Sequence, residues 1–197
     1  PNGMLSVVAN PVARAVGLAL MRQGFRVKLA DTSYEEISSA RMAGLETYYG
    51  DPISSHADQF LELVGIGRLF AMSRRSRWNT LSCMKYRTEF GGNRVFSLRN
   101  AEDRDTSERE KLADDYRVPR LFGEDVTYQK LASLLARGAE IKAINLTEEF
   151  DMEAYREKNG RNLIPLFSID ANGKLRVINE DAPAEPAASG KLMALVW

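Results

Sequence analysis

Apolar positions along this chain recur in two rhythms, and the rhythm changes past the midpoint. Leu5-Ser6-Val7-Val8-Ala9 is a short buried-strand run. Asn10 and Pro11 follow as a cap and a first-turn proline, the order that opens a helix. Val12, Ala15, Val16, Ala19 and Leu20 then recur at helical spacing, and Gly24 closes the element. Phe25, Val27 and Leu29 alternate with Arg26 and Lys28, a second strand that ends at Asp31. Thr32-Ser33-Tyr34-Glu35-Glu36 offers two overlapping capping boxes for a second helix, stopped by Gly44. Thr47 to Asp51 reads as a third strand with its exit turn, and a helix is expected through Phe60, Leu61 and Val64. Arg68 to Met72 is a fourth strand, Trp78 to Phe90 a helix ended by Gly91-Gly92, and Arg94 to Leu98 a fifth strand.

The pattern then breaks. Glu102 to Asp115 is almost free of apolar residues and dense in charges of both signs, the signature of a solvated linker, with a capping box at Ser107 to Glu110. Beyond it, Val126 to Leu135 suggests a helix with Asp125 as cap and Gly138 as stop. Ile141 to Leu146 and Leu163 to Asp170 read as strands, and Asn172-Gly173 is a hairpin turn signal before Leu175, Val177 and Ile178. Ala182 to Ser189 is a Pro/Ala-rich loop, and Lys191 to Trp197 a last strand. Strands alternating with helices imply βαβ units. The fold class is therefore α/β: a Rossmann-like parallel sheet with flanking helices, followed by a smaller α+β domain with antiparallel pairing. The expected division is residues 1–100, a charged linker at 101–118, and a small domain at 119–197.

Composition narrows the function. Lys and Arg number 27 against 27 Asp and Glu, a net charge of zero, with 44% apolar residues. The chain is not of a disordered type, and it lacks the basic field on which nucleic-acid binders rely, so no nucleic-acid partner is expected. Cys83 is the only cysteine, which excludes an intrachain disulfide and a cysteine zinc site. His56 is the only histidine and sits in a polar turn, where a solvent-exposed role is expected and no metal site is. No stretch reaches the roughly 20 apolar residues that span a bilayer, and no signal peptide is recognisable. The opening Pro1, followed almost at once by a strand, suggests a piece of a longer chain.

The first strand–turn–helix is the one chemically informative motif. In dinucleotide-binding sheets this turn carries G-x-G-x-x-G, with a carboxylate about 20 residues on, at the end of the second strand. Here Asp31 fills the carboxylate position, but the glycine positions hold Val8, Asn10 and Ala13. Ala13 is a mild change. Asn10 either fills space where a pyrophosphate approaches or caps the helix with the amides a phosphate would use, and the turn is then either a structural relic or an adenosine-type site. Asp31 suits a bidentate contact with ribose hydroxyls, or caps the second helix. Asp51 lies at the carboxyl edge of the sheet, positioned for an adenine amino group or for the helix after Pro52. Arg14 in the first helical turn suits a phosphate or solvent. Ser73-Arg74-Arg75-Ser76-Arg77 suits an anion, or is a solvated basic turn or partner contact. The candidate nucleotide-binding set is Ala9, Asn10, Pro11 and Val12 in the turn, Asp31 and Thr32, Asp51 and Pro52, and Ser73 and Arg74.

Catalytic signatures are not visible. No Tyr is followed by Lys four residues later, G-x-S-x-G and the phosphate-loop motif are missing, and Cys83 reads as a core residue. A nucleotide-binding fold of this kind points to a sensor or scaffold. The alternatives are an NAD-dependent oxidoreductase and a purely structural dimerisation module.

Several stretches carry a resemblance. They are Asn10-Pro11-Val12-Ala13-Arg14-Ala15, Val27-Lys28-Leu29-Ala30-Asp31-Thr32, Ala40-Arg41-Met42-Ala43-Gly44-Leu45, Tyr48-Tyr49-Gly50-Asp51-Pro52, Gly65-Ile66-Gly67-Arg68-Leu69-Phe70-Ala71 and Leu121-Phe122-Gly123-Glu124-Asp125-Val126-Thr127-Tyr128. Together they resemble the regulatory RCK (TrkA-N type) domain, in particular the cytosolic C-terminal tail of bacterial cation:proton (sodium/hydrogen) antiporters, over nearly the whole chain. The resemblance implies a non-catalytic regulatory module on the cytoplasmic side of the inner membrane, covalently linked to an upstream transmembrane antiporter domain. It further implies a homodimer formed through the nucleotide-binding half, and control by an adenine nucleotide or NAD(H). It maps the ribose-binding acid to Asp31 and the adenine-edge acid to Asp51, while the phosphate-loop glycines, at Val8 and Asn10, are not kept.

Overall fold

The computed structural model describes residues 2–104, 118–147, 151–159, 162–183 and 190–197. The Ser107–Glu110 capping box, most of the charged linker and the end of the Pro/Ala-rich loop lie outside them. The chain divides into two compact units, one of Pro1–Arg120 with Thr127–Gln129, the other of Leu121–Val126 with Lys130–Trp197.

In the first unit, β1 (Gly3–Ser6), α1 (Pro11–Arg22), β2 (Val27–Asp31), α2 (Tyr34–Met42), β3 (Glu46–Tyr49), α3 (Ser55–Phe60), β4 (Ile66–Ala71), α4 (Ser76–Phe90) and β5 (Val95–Leu98) alternate as expected. A 3-10 turn at Ala101–Arg104 follows, and β6 (Arg120–Leu121) completes the sheet. The sheet order is β3-β2-β1-β4-β5-β6, and the pairs among β1 to β5 are parallel. The order reverses between β1 and β4, which is where ligands enter open α/β sheets. The central strands are covered on both faces: every residue of β1 and β4 is buried, and so is β2 up to its last residue, Asp31, with Lys28 and Arg68 among the buried positions. Leu5, Leu29, Leu69 and Phe70 have no exposed surface.

Helix ends follow local chemistry. Asn10 caps α1 and Ser33 caps α2, each side chain accepting an amide three residues on. Gly24 and Gly44 leave these helices with φ near 90°, a conformation that costs glycine little. Two expectations differ. The first strand begins and ends earlier than Leu5–Ala9, because the Ser6 hydroxyl donates to the Val8 carbonyl at 2.6 Å and turns the chain out of the sheet. Helix α3 stops at Phe60 rather than running to Val64, because Leu61 adopts an extended backbone.

The second unit holds α5 (Tyr128–Ala136) from Lys130 onward, then β7 (Glu140–Leu146), α6 (Met152–Asn159), β8 (Leu163–Asp170), β9 (Leu175–Val177) and β10 (Gly190–Val196). Its sheet is antiparallel in the order β7-β10-β8-β9. Gly173 supplies the left-handed residue of the turn between β8 and β9. Leu146, Leu163, Ile178, Leu192 and Ala194 form its core, and Phe122 packs edge-on to Phe167 at 5.4 Å. Helix α6 was not expected from the sequence. Its signal is Asp151, whose carboxylate accepts the Ala154 amide at 2.9 Å as a cap.

Two predictions follow from packing. A Cβ on Gly3 would stand 2.6 Å from the Gly65 carbonyl and 2.9 Å from that of Arg26. Both are backbone atoms, so Gly3→Ala lowers unfolding free energy by about 1–3 kcal/mol, read by urea denaturation. Cys83 is 1% exposed on α4. Burial pushes its thiol up to about 12, with Arg120 opposing. At pH 8 about one thiol in ten thousand is then ionised, and native protein resists iodoacetamide until urea unfolds it.

Candidate functional site

The carboxyl ends of β1 to β5 and the loops that leave them form one edge. At its centre is the peptide of Ala9. Its N–H donates to Asp31 Oδ2 at 2.8 Å, and its carbonyl accepts from Arg14 Nη1 at 2.8 Å. The other Asp31 oxygen accepts the Ser33 amide at 2.9 Å, so the carboxylate ties the β1–α1 turn to the start of α2. Arg14 also pairs with Glu36 at 3.1 Å, closing α1 on α2 a second time.

Asn10 holds the turn from the other side. Its Oδ1 accepts the Ala13 amide at 3.0 Å, and its Nδ2 donates to the Met72 carbonyl at 2.9 Å. Trp78 Nε1 donates to the Val7 carbonyl at 3.2 Å. These two bonds cross the switch point between β1 and β4. Pro11 has no N–H and the Ala13 N–H is occupied, so two of the first three helical positions of α1 offer nothing to a phosphate. Of the two readings of Asn10, the cap is the one that the geometry realises.

The remaining candidates fall along the same edge. Val12 is fully buried, Pro11 and Thr32 are exposed, and Asp31 is half-buried. Asp51 is exposed, and its Oδ1 accepts the Ile53 amide at 2.9 Å, while Ser54 caps α3. Pro52 is buried and its carbonyl accepts from the Tyr86 hydroxyl at 2.6 Å. Ser73 is buried and Arg74 exposed. Arg14 is engaged by Ala9 and Glu36 rather than directed to solvent. His56 is exposed as expected, yet its Nδ1 is 2.5 Å from the Tyr48 hydroxyl and its ring stacks on Phe60 at 4.4 Å.

Sequence reasoning missed a polar cluster at the exits of β4 and β5. Asn79 is fully buried, and its amide group accepts the Ser73 N–H and donates to the Ser73 carbonyl, both at 2.9 Å. Asn100 Nδ2 donates to the Ser73 carbonyl and to Ser76 Oγ, each at 3.1 Å. Ser76 in turn donates to Asp103 at 2.6 Å. Tyr128, at the first turn of α5, is 7% exposed and lies in this unit. Burial raises the pKa of its hydroxyl, Arg74 opposes that rise, Glu36 adds to it and Arg14 opposes it. Buried Asn at a strand exit is a weak signal in a sequence. Tyr128 gives none, because it comes from beyond the charged linker.

Among the described residues no group of three or more His, Cys, Asp or Glu could hold a metal ion. Among the described residues no helix is long and apolar enough to cross a membrane. What the edge does offer is a carboxylate with lone pairs left over, facing the end of β2, and exposed arginines after β4.

No protein-family model matches the chain, and no curated protein matches it. Solved structures similar to it include the TrkA-N domain of the inner membrane protein ybaL from Escherichia coli. That structure is 14% identical, covers 69% of this chain and 95% of its own, and has a TM-score of 0.49. A putative NAD-dependent epimerase/dehydratase from Bacillus halodurans is 15% identical over 62% of this chain and 68% of its own, with a TM-score of 0.45. The GsuK RCK domain is 12% identical over 100% of this chain and 44% of its own, with a TM-score of 0.46.

Proposed function

We propose that this chain is a non-catalytic regulatory module of a cation/proton antiporter, and that it senses an adenosine-type ligand at the carboxyl end of β2. The observation that carries the reading is Asp31. Its carboxylate stands at the end of the second strand beside the switch point, and each oxygen accepts one backbone amide. A carboxylate oxygen has room for a second donor, and a pair of ribose hydroxyls supplies two. The closed turn disfavours a dinucleotide: Pro11 and the Asn10 cap remove phosphate donors, and the bonds from Asn10 and Trp78 span the crevice that a second nucleotide half would enter. Adenosine and AMP therefore suit the edge better than NAD(H).

The resemblance to antiporter tails supports the remainder of the reading. An upstream transmembrane domain holds the module at the cytoplasmic face of the inner membrane, and the module works as a homodimer. Apolar side chains suited to a self-contact project from neighbouring helices: Phe60 on α3, and Leu81 and Met84 on α4, all more than half exposed. Lys85 joins the two helices through Asp58 at 2.6 Å. Ligand binding that favours one dimer arrangement would bias the transporter by population shift.

Calorimetry with AMP, ADP, ATP, NAD+ and NADH tests the sensor reading. AMP is expected to bind, and Asp31→Asn to weaken it by about tenfold or more, since a hydrogen bond to a charged group is worth roughly 1.5–3 kcal/mol. Silence from all five at high micromolar concentration leaves only the structural dimerisation role. In sedimentation, Leu81→Glu with Met84→Glu is expected to convert a dimer to monomer. A monomeric wild-type chain at high micromolar concentration removes the dimer. The coding sequence upstream of Pro1 tests the antiporter context, which requires about ten apolar spans of about 20 residues.

A further inference from the structure

The outer strand of a sheet leaves one row of backbone N–H and C=O groups unpaired, and folded chains keep such edges short, bulged or charged. Among the described strands, three of the four sheet edges follow that rule by length: β3 has four residues, β6 two and β9 three. The fourth, β7 (Glu140–Leu146), has seven. It is the outer strand in the order β7-β10-β8-β9, and it pairs with β10 over all seven residues without a bulge. It contains no proline or glycine, and among the described residues no strand pairs with its outer side. Glu140, Lys142, Ala143 and Asn145 are exposed, and Ile141 and Ile144 are only partly covered.

A row of alternating donors and acceptors calls for an extended strand, and the charges of β7 say which strand. Glu140 and Lys142 lie on one face, a single residue either side of Ile141. Among the described residues neither makes an ion pair. In an antiparallel pair of two β7 strands centred on Ile141, each Glu140 stands opposite the Lys142 of the other copy, so opposite charges meet twice. An in-register parallel pair sets Glu140 against Glu140 and Lys142 against Lys142, which is unfavourable. An antiparallel pair centred on Ala143 sets Glu140 against Leu146 and Lys142 against Ile144, and loses both charge pairs. We propose that β7 is the contact surface for β7 of a second copy, antiparallel about Ile141, so that two four-stranded sheets become one across a two-fold axis. The joined sheet ends on each side in a three-residue β9, so growth by this route stops at two copies. The contact is smaller than a stable interface requires. It fills where another contact already holds two copies together at an effective concentration in the millimolar range. It rests neither on the ligand at Asp31 nor on the residues of α3 and α4.

Disulfide trapping on the whole chain tests the contact and its register together. Residue 141 lies on the two-fold axis, where the two Cβ atoms stand about 5 Å apart, within reach of a disulfide. The two copies of residue 143 stand about 14 Å apart along the strands. The native Cys83 is 1% exposed and does not compete. With a mild oxidant at high protein concentration, Ile141→Cys is expected to form linked dimers at least about tenfold faster than Ala143→Cys, because only the first is held opposite its own copy. Adding Glu140→Lys to Ile141→Cys is expected to slow the linkage to the Ala143→Cys rate, and adding Lys142→Glu as well to restore it. Equal rates for the two cysteines, which is collision alone, overturn the proposal. So does a faster Ala143→Cys, or a Glu140→Lys chain that links as fast as before. Should Ile141→Cys fail to fold, a mixture of Glu140→Cys and Lys142→Cys chains reads the same register from exposed positions. A mixed disulfide is expected from it, and its absence overturns the proposal.

Discussion

The Ala9 peptide is the point on which the carboxyl edge depends. Its N–H and its carbonyl are each held by a charged side chain, Asp31 on one side and Arg14 on the other. Charge-assisted bonds of this kind are about twice as strong as neutral ones, and they fix a turn whose glycines are gone. In a G-x-G-x-x-G turn, the missing side chains let the backbone bend tightly and approach a pyrophosphate. Here the turn is kept in place by side chains instead. The substitution is self-consistent: Asn10 both caps α1 and reaches Met72, so the residue that fills the phosphate space also joins β1 to β4. A turn held in this way keeps the strand order and the shape of the edge while giving up donors that a phosphate would need.

Much of the first unit was legible because its signals are local. Asn10-Pro11, Ser33 with Glu36, and the exit glycines Gly24, Gly44 and Gly91 each act within four residues, and each stands where expected. Asp31 was legible for the same reason, since its place at the end of β2 follows from strand length. What its carboxylate touches was not legible, because the Ala9 contact spans 22 positions. Elements went wrong where a short-range rule met a competing one. Leu61 to Val64 has the apolar spacing of a helix, but the chain must leave α3 there to reach β4, and Leu61 turns extended. Helix α6 was missed because its sequence, Met152–Asn159, is strongly polar, and only the Asp151 cap announces it.

The polar cluster at the exits of β4 and β5 was the least legible part, and the reason is general. Ser73, Asn79, Asn100 and Gln129 are ordinary residues in an ordinary composition, and only the fold brings them together. Buried polar groups are costly unless satisfied, and every one of these side chains has a partner. Such networks fix one geometry among several that an apolar core would tolerate. They lie at the carboxyl edge of the sheet, while the apolar core formed by Leu5, Leu69, Ala71 and Val95 fills its interior.

That placement bears on how this edge can move. Asn79 fixes Ser73, Asn100 fixes both Ser73 and Ser76, and Gln129 fixes Asn100. The loop that carries Arg74 and the start of α5 therefore share one chain of hydrogen bonds. Breaking a single member strands a buried partner, at a cost of about 1–3 kcal/mol, so loss of any one of these bonds is disfavoured. A cooperative element of this kind is what a binding event needs if its effect is to pass from one part of a chain to another. In this edge the coupling follows from the satisfaction of a few amide groups that join the Arg74 loop to the Thr127–Gln129 segment.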